Sequence, residues 1–286
     1  MSISVFVPGH ITGFFNIENH EKPLKNGSCG GGFLLSKGVT TTIKETSNDE
    51  TSIKINGKND LRNETIVREV LNIMDIDDAF EITQKITLPI GAGFGTSAAA
   101  AIGTAIGINK ILNLENSLEK SGQIAHLAEI ALGSGLGDVI AEFGQGVVLR
   151  TKAGAPGIGE ITSLNQYDYY VGCKTFSQIN TSSIIHDENY KNIISQNGLI
   201  AKENFLKELS FNNFLKQSYN FSKNTKLMNK EVENLVEYLN NQEDILGSSM
   251  AMLGNTVFAF AENKKTLKNL KIEGMDIYKL NNEGIL

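Results

Sequence analysis

The segment Leu88-Pro-Ile-Gly-Ala-Gly-Phe-Gly-Thr-Ser-Ala-Ala99 constrains this chain more than any other stretch, because it dictates what must precede and follow it. Phe80, Ile82, Ile86 and Leu88 fall on the period-2 pattern of a half-buried strand, and Pro89 stops it. Three alternate glycines, Gly91, Gly93 and Gly95, let the backbone turn its N–H groups inward and let a ligand come close. Thr96 and Ser97 then bring two hydroxyls to the start of an alanine-rich helix expected to run to about Leu112. A helix start offers unsatisfied N–H donors and the positive end of its dipole. Together these make a candidate phosphate cradle, although the same string also fits a plain strand-to-helix turn with close packing. It is not a Walker A loop, since no Gly-Lys-Ser/Thr occurs. It is not a dinucleotide fingerprint either: Glu115 has about the right separation but follows the helix directly and ends no strand.

Elsewhere the pattern predicts a short strand over residues 3–7 ending at the Pro8-Gly9 turn, and a flexible or tightly turned segment over 27–32. Strand-like runs at 39–45 and 51–55 flank Asn48-Asp49, which suggests a hairpin. Ile66, Val67, Val70, Leu71 and Met74 have helical spacing, with Asp60 or Asn63 available as a cap. A second helix is expected from about Asn116 to Leu132, Asn116 and Glu119 making a capping-box-like start. Gly133-Ser-Gly-Leu-Gly-Asp138 ends it, and a strand is expected from Gln145 to Thr151. Lys152-Ala-Gly-Ala-Pro-Gly-Ile-Gly159 is the best internal boundary, dividing the chain into residues 1–155 and 156–286. Strands near 161–164 and 168–173, three amphipathic helices between about 181 and 241, a glycine-bearing loop or helix from Gly247 to Gly254 and a strand from Thr256 to Ala261 follow. This order reads as an α+β protein of two lobes rather than alternating βαβ units.

A net charge of −6, from 26 Lys+Arg against 32 Asp+Glu, argues against a nucleic-acid binder, which needs a basic face. The two cysteines, Cys29 and Cys173, cannot staple 286 residues and sit in no zinc-site spacing, so a reduced cytoplasm is the expected home. No basic n-region followed by a long apolar run opens the chain, and Ala98 to Ile108 is too short and too interrupted to span a bilayer; no membrane partner is expected.

Pro89-x-x-x-Gly93-x-Gly95-Thr96-Ser97-Ala98 resembles the phosphate-loop motif of the GHMP kinases, the family of galactokinase, homoserine, mevalonate and phosphomevalonate kinases. Thr96 stands where the usual pattern has the first of two serines, which keeps the hydroxyl. Val7-Pro8-Gly9-His10-Ile11-Thr12-Gly13-Phe14-Phe15 resembles the family's early Pro-Gly motif, in the form carried by archaeal pantoate kinases. Gly133 to Asp138 and Gly247 to Gly254 are similar to the same branch, and the resemblance runs the length of the chain in order. The last segment, Ser248 to Asn255, departs from the family's glycine-rich third motif, which puts in question how far that loop touches phosphate.

The resemblance implies a two-lobed GHMP-kinase fold, with a ribosomal-protein-like N-terminal ATP-binding domain and a C-terminal α/β sandwich domain. It implies ATP and Mg²⁺ as cofactors, a homodimer, and transfer of phosphate to the pantoate hydroxyl on the way to coenzyme A. Pro89, Gly91, Ala92, Gly93, Phe94, Gly95, Thr96, Ser97 and Ala98 would hold the triphosphate, and Ser97 or Thr96 with Glu129 the metal. An exposed helix carboxylate is the alternative for Glu129, and an N-cap the alternative for Asp138, otherwise the base or hydroxyl-orienting group. Pantoate's carboxylate requires a cation. Arg62 and Arg68 fall on or beside a polar helix face, whereas Arg150 ends a strand close in sequence to Asp138. Lys22 and Lys25 are weaker candidates. Thr12, Ser28 and Cys29 are expected to line the same pocket, and His10 either joins them or is structural. Mevalonate, homoserine or shikimate as acceptor, and a non-catalytic nucleotide sensor on the same fold, are the competing readings.

Overall fold

Two unusually long strands carry the architecture. The computed structural model describes residues 1–61, 64–164, 167–177 and 188–286. Strand β1 (Ser2–Glu18) and strand β2 (Gly27–Glu45) pair antiparallel over almost their whole lengths, with shifts in register at Pro8/His10 and Thr12/Phe14. The free edge of β2 is then shared. β4 (Phe80–Ile86) pairs with its residues 39–45, and β5 (Val147–Lys152) pairs with its residues 30–33. β3 (Ser52–Ile55) and β6 (Glu160–Leu164) complete a six-stranded sheet. A second sheet has the order β10-β7-β9-β8, from β7 (Tyr170–Ser177), β8 (Gly247–Met250), β9 (Asn255–Ala261) and β10 (Met275–Lys279).

Helices α1 (Thr65–Ile73), α2 (Thr96–Ile111) and α3 (Leu118–Leu132) share a core with the outer half of the β1–β2 ribbon, through Val5, Val7, Val39 and Ile43. α2 is buried on nearly every side, and its small residues explain how. A Cβ at Gly103 would lie 2.6 Å from Thr41 Oγ1, and one at Gly107 would lie 2.7 Å from Ile43 Cδ1. One-turn α4 (Asp138–Ala141) leads to β5. Helices α5 (Glu188–Lys207), α6 (Phe211–Thr225) and α7 (Lys230–Asn240) pack with the second sheet, and α8 (Lys264–Asn269) lies near its end. That second core reaches into the ribbon, where Phe33 meets Phe258 and Phe260 edge-on at 5.1 and 4.7 Å. Among the described residues no helix is long and apolar enough to cross a membrane.

Several local expectations need correction. The chain does not turn at Pro8-Gly9; β1 runs through it on a bulge. Residues 27–32 are strand rather than flexible loop, because their glycines serve close packing: a Cβ at Gly32 would sit 2.1 Å from His10 Nε2. The hairpin at Asn48-Asp49 is absent. β4 occupies the place beside β2, and β3 instead joins the far edge of β4 in parallel, a non-local pairing that local turn residues cannot report. Helix α3 is capped by Ser117, whose side chain accepts from Lys120 N, and not by Asn116. Glu64 precedes α1 and makes no side-chain cap bond; Asn63 and Arg62 lie outside the described residues. The three amphipathic helices appear as α5, α6 and α7, the start expected near 181 lying outside the described residues. The stretch read as a loop or helix at 247–254 opens with strand β8.

Candidate active site

The phosphate loop departs from β4 and delivers α2. Gly91, Gly93 and Gly95 have φ of 71°, 84° and 65°, the left-handed region in which any side chain is strained. No side chain caps the first turn of α2, so its leading N–H groups are left for an anion. The loop is held from behind by both lobes. His10 N donates to Phe94 O at 3.1 Å, and Thr256 Oγ1 donates to Ala92 O at 2.9 Å. A Cβ on Gly254 would lie 2.0 Å from Ala92 O, so the last glycine of the thinned third motif supports the loop. Ala92, Phe94 and Ala98 are buried anchors, while Pro89, Gly93 and Ser97 are half-buried and Gly91 is exposed.

Glu129 is not a solvated helix carboxylate. It is only 3% exposed, and its Oε1 accepts from Ser97 Oγ at 2.5 Å and Ser134 Oγ at 2.7 Å. Burial pushes its carboxyl up to about 7; the two serine bonds oppose the rise and the nearby Asp138 carboxylate adds to it. Ser97 rather than Thr96 is the hydroxyl that reaches this carboxylate. Among the described residues no group of three or more His, Cys, Asp or Glu could enclose a metal. One buried carboxylate flanked by hydroxyls instead fits Mg²⁺, a hard ion that keeps waters and takes oxygens from substrate phosphates.

Asp138 begins α4, but Gly137 occupies the cap position and no side-chain cap bond forms. Its Oδ1 bonds His10 Nδ1 at 2.7 Å, the ring fully buried and the carboxylate side chain 30% exposed. Burial would raise the Asp138 carboxyl, yet the His10 hydrogen bond and the Arg150 charge hold it below its usual range. Burial also lowers His10, so the ring is neutral near pH 7. An ionised Asp138 can only accept, which puts the single ring proton on Nδ1 and leaves Nε2 without a partner against Gly32.

Asp138 lines a cleft of about 410 Å³ with Thr12, Phe15, Ser28, Ser134 to Gly137, Arg150, Met252 and Leu253. Arg150 is 1% exposed, and its Nε and Nη1 donate to Ser28 O at 3.3 Å and Thr12 Oγ1 at 3.5 Å. Among the described residues it forms no ion pair. A Cβ at Gly137 would lie 2.3 Å from Ser28 Oγ and 2.8 Å from Arg150 Nε, so the 133–138 loop closes directly over that guanidinium. Thr12, Ser28, Arg150 and Asp138 line one cleft, and His10 reaches it through its bond to Asp138. Cys29 turns away: its thiol donates to Glu18 Oε1 at 3.0 Å and Thr151 O at 3.4 Å, and it is pushed up to about 11, chiefly by burial. Ser134 and the apolar wall of Phe15, Leu136, Met252 and Leu253 complete the lining; of these Ser134 alone has a sequence signal, as a hydroxyl inside the glycine run that ends at Asp138.

Residues 64–146 match the N-terminal domain of the GHMP kinases. Pantoate kinase from Methanocaldococcus jannaschii is 34% identical over 267 residues, covering 93% of this chain and 94% of its own. A solved structure described as a phosphotransferase related to the coenzyme A biosynthesis pathway superimposes with a TM-score of 0.88 at 30% identity, over 100% of this chain and 98% of its own. A mevalonate kinase structure superimposes with a TM-score of 0.71 at 16% identity, over 98% of this chain and 100% of its own, a likeness of fold alone. The mixed α+β architecture, the converging motifs and these full-length relatives agree: the chain belongs to the GHMP kinases, in the branch that holds the pantoate kinases.

Proposed function

We propose that this chain transfers the γ-phosphoryl group of ATP to the hydroxyl of pantoate, yielding 4-phosphopantoate for coenzyme A synthesis in the cytoplasm. One observation carries the acceptor reading. Arg150 is a buried guanidinium with no ion-pair partner among the described residues, in the same cleft as Asp138. A buried charge is costly unless paired, and a bound carboxylate supplies the pair. Thr12 and Ser28 flank that carboxylate, and Phe15, Leu136, Met252 and Leu253 give the acceptor's carbon skeleton an apolar wall. Residues 1–155 would serve as the ATP domain, and residues 156–286, which hold the whole four-stranded sheet, as the second lobe.

The loop over 91–97 cradles the triphosphate. Ser97 and Glu129 would hold Mg²⁺, which offsets phosphate charge when bound. Asp138 Oδ1 is engaged by His10, so Oδ2 is the atom left to receive the acceptor's proton. The acceptor oxygen then bonds to the γ-phosphorus as the bond from that phosphorus to the bridging oxygen breaks, and ADP leaves. Because Asp138 is held ionised and weakly basic, its main part is orienting the hydroxyl. The test is ADP release with Mg-ATP against pantoate, mevalonate, homoserine, shikimate and pantothenate. Turnover with pantoate alone is expected; turnover with another acceptor instead, or with none, sinks this reading.

A pH dependence follows from Glu129. Its raised carboxyl must lose a proton before it can bind metal, and below about 7 the proton wins. The free Mg²⁺ needed for half-maximal rate should rise about tenfold from pH 8 to pH 6. Between the ordinary carboxyl range and about 7, the folded apo-protein holds a proton that the unfolded chain has released. Apo Tm therefore falls as pH rises through that window, and Mg²⁺ restores it on the alkaline side. Glu129→Gln should abolish the pH dependence of the Mg²⁺ requirement and remove Glu129's share of the Tm slope, the buried Glu142 keeping its own; equal Mg²⁺ requirement at the two pH values would refute the assignment.

A further inference from the structure

Glu142 directly follows α4, one helical turn beyond Asp138, and its N–H donates to Asp138 O at 2.9 Å. The two acids share an element and part company in their surroundings. Asp138 opens to the cleft, whereas Glu142 is 0% exposed. Among the described residues neither of its carboxyl oxygens has a hydrogen-bond partner, an arrangement that ordinarily favours replacement by an apolar group.

What lies against it gives the acid a task. A Cβ added to Gly95 would sit 2.6 Å from Glu142 Oε1 and 3.2 Å from both N and O of His10. Three elements therefore touch at one point: the last glycine of the phosphate loop, the backbone of the strand bearing His10, and the Glu142 carboxyl. The bond from His10 N to Phe94 O ties loop to strand immediately beside it. Burial, reinforced by the Asp138 and Glu129 carboxylates, raises Glu142 well above its ordinary range, which disfavours a further negative charge behind the triphosphate.

We propose that Glu142 is a positioning residue for phosphoryl transfer: its carboxyl is the spacer that sets the distance between the phosphate loop at Gly95 and the His10–Asp138 pair. That distance decides whether the acceptor oxygen meets the γ-phosphorus in line, and a displacement of about 1 Å can cost about a hundredfold in rate. Substrate binding on either side of the gap is untouched, so the spacer acts on kcat and not on KM. The proposal rests on the kinase reading above, and two variants test it. Glu142→Gln keeps the length of the side chain and carries no charge. Glu142→Asp draws the carboxyl back by one methylene, about 1.5 Å.

Expected are a Gln variant with kcat within about twofold of wild type and an Asp variant with kcat down about tenfold to a hundredfold, both KM values staying within about threefold. An Asp variant with lower Tm but wild-type kcat per folded molecule would overturn the spacer and leave a merely structural acid. A Gln variant as slow as the Asp variant would overturn it too, because shape would then not be what matters. The same ratios are read from Mg-ATP hydrolysis without acceptor, so this result is independent of which acceptor the wild-type protein uses; wild-type turnover with pantoate tests that separately.

Discussion

Replacing Asp138 with Asn lowers kcat about a thousandfold while ATP binds with its wild-type Kd, the scale expected for losing a positioned acid–base group. The substitution changes no volume, so the loss must come from hydrogen-bond polarity. His10 Nδ1 carries the ring proton because it faces a carboxylate at 2.7 Å. An Asn amide can satisfy that proton with its oxygen, but it then turns NH₂ toward the acceptor hydroxyl, where a group that accepts is needed. If the amide flips, the ring proton moves to Nε2, which faces Gly32 and has no partner. Both arrangements fail at one end. Nucleotide binding by calorimetry and single-turnover transfer separate the effects: a variant that keeps its turnover would remove Asp138 from the reaction, and one that loses ATP binding would make it structural.

The second large effect is expected on the acceptor. Arg150→Ala should raise the KM for pantoate about a hundredfold, equivalent to about 2.7 kcal/mol, with kcat and the KM for ATP changing much less. Arg150→Lys should recover little, since a point charge on a flexible stem cannot reproduce a planar fork beneath the 133–138 loop. The fold should tolerate both changes. Arg150 makes no direct ion pair among the described residues, and Asp138, the carboxylate its charge reaches, keeps its His10 bond when the guanidinium is removed. Steady-state kinetics with a Tm for each variant checks this, and an unchanged pantoate KM would transfer the carboxylate to some other donor.

Much of this site was legible because its parts are written as contiguous strings. Alternate glycines before a run of alanines specify a loop and a closely packed helix, and all three glycines adopt the left-handed φ that such a loop demands. Arg150 stands out once the resemblance implies an acceptor with a carboxylate, since Arg62 and Arg68 fall on or beside a polar helix face. What stayed hidden depends on partners far away in sequence. The strand formed by residues 27–32 looks like a flexible linker until the aromatic and histidine rings of β1 are laid across its glycines. Ser28 and Cys29 look equivalent in sequence, but neighbours on a strand face opposite ways, so only Ser28 reaches the cleft. Glu142 offered no signal at all. A glutamate one turn past Asp138 reads as an ordinary helix-end residue until the phosphate loop is folded over it.

The β1–β2 ribbon has a consequence for how the molecule comes apart. Its outer half contributes Val5, Val7, Val39 and Ile43 to one core, and its inner half contributes Ile11, Phe14, Phe15 and Phe33 to the other. Neither lobe can melt without tearing two strands out of the partner's interior. Heat or urea should therefore produce one cooperative transition, coincident by far-UV ellipticity and tyrosine fluorescence, where two lobes joined by a simple linker would give two. Evolution working on such a scaffold cannot exchange its halves like modules; acceptor preference has to drift through the cleft's own lining, one side chain at a time.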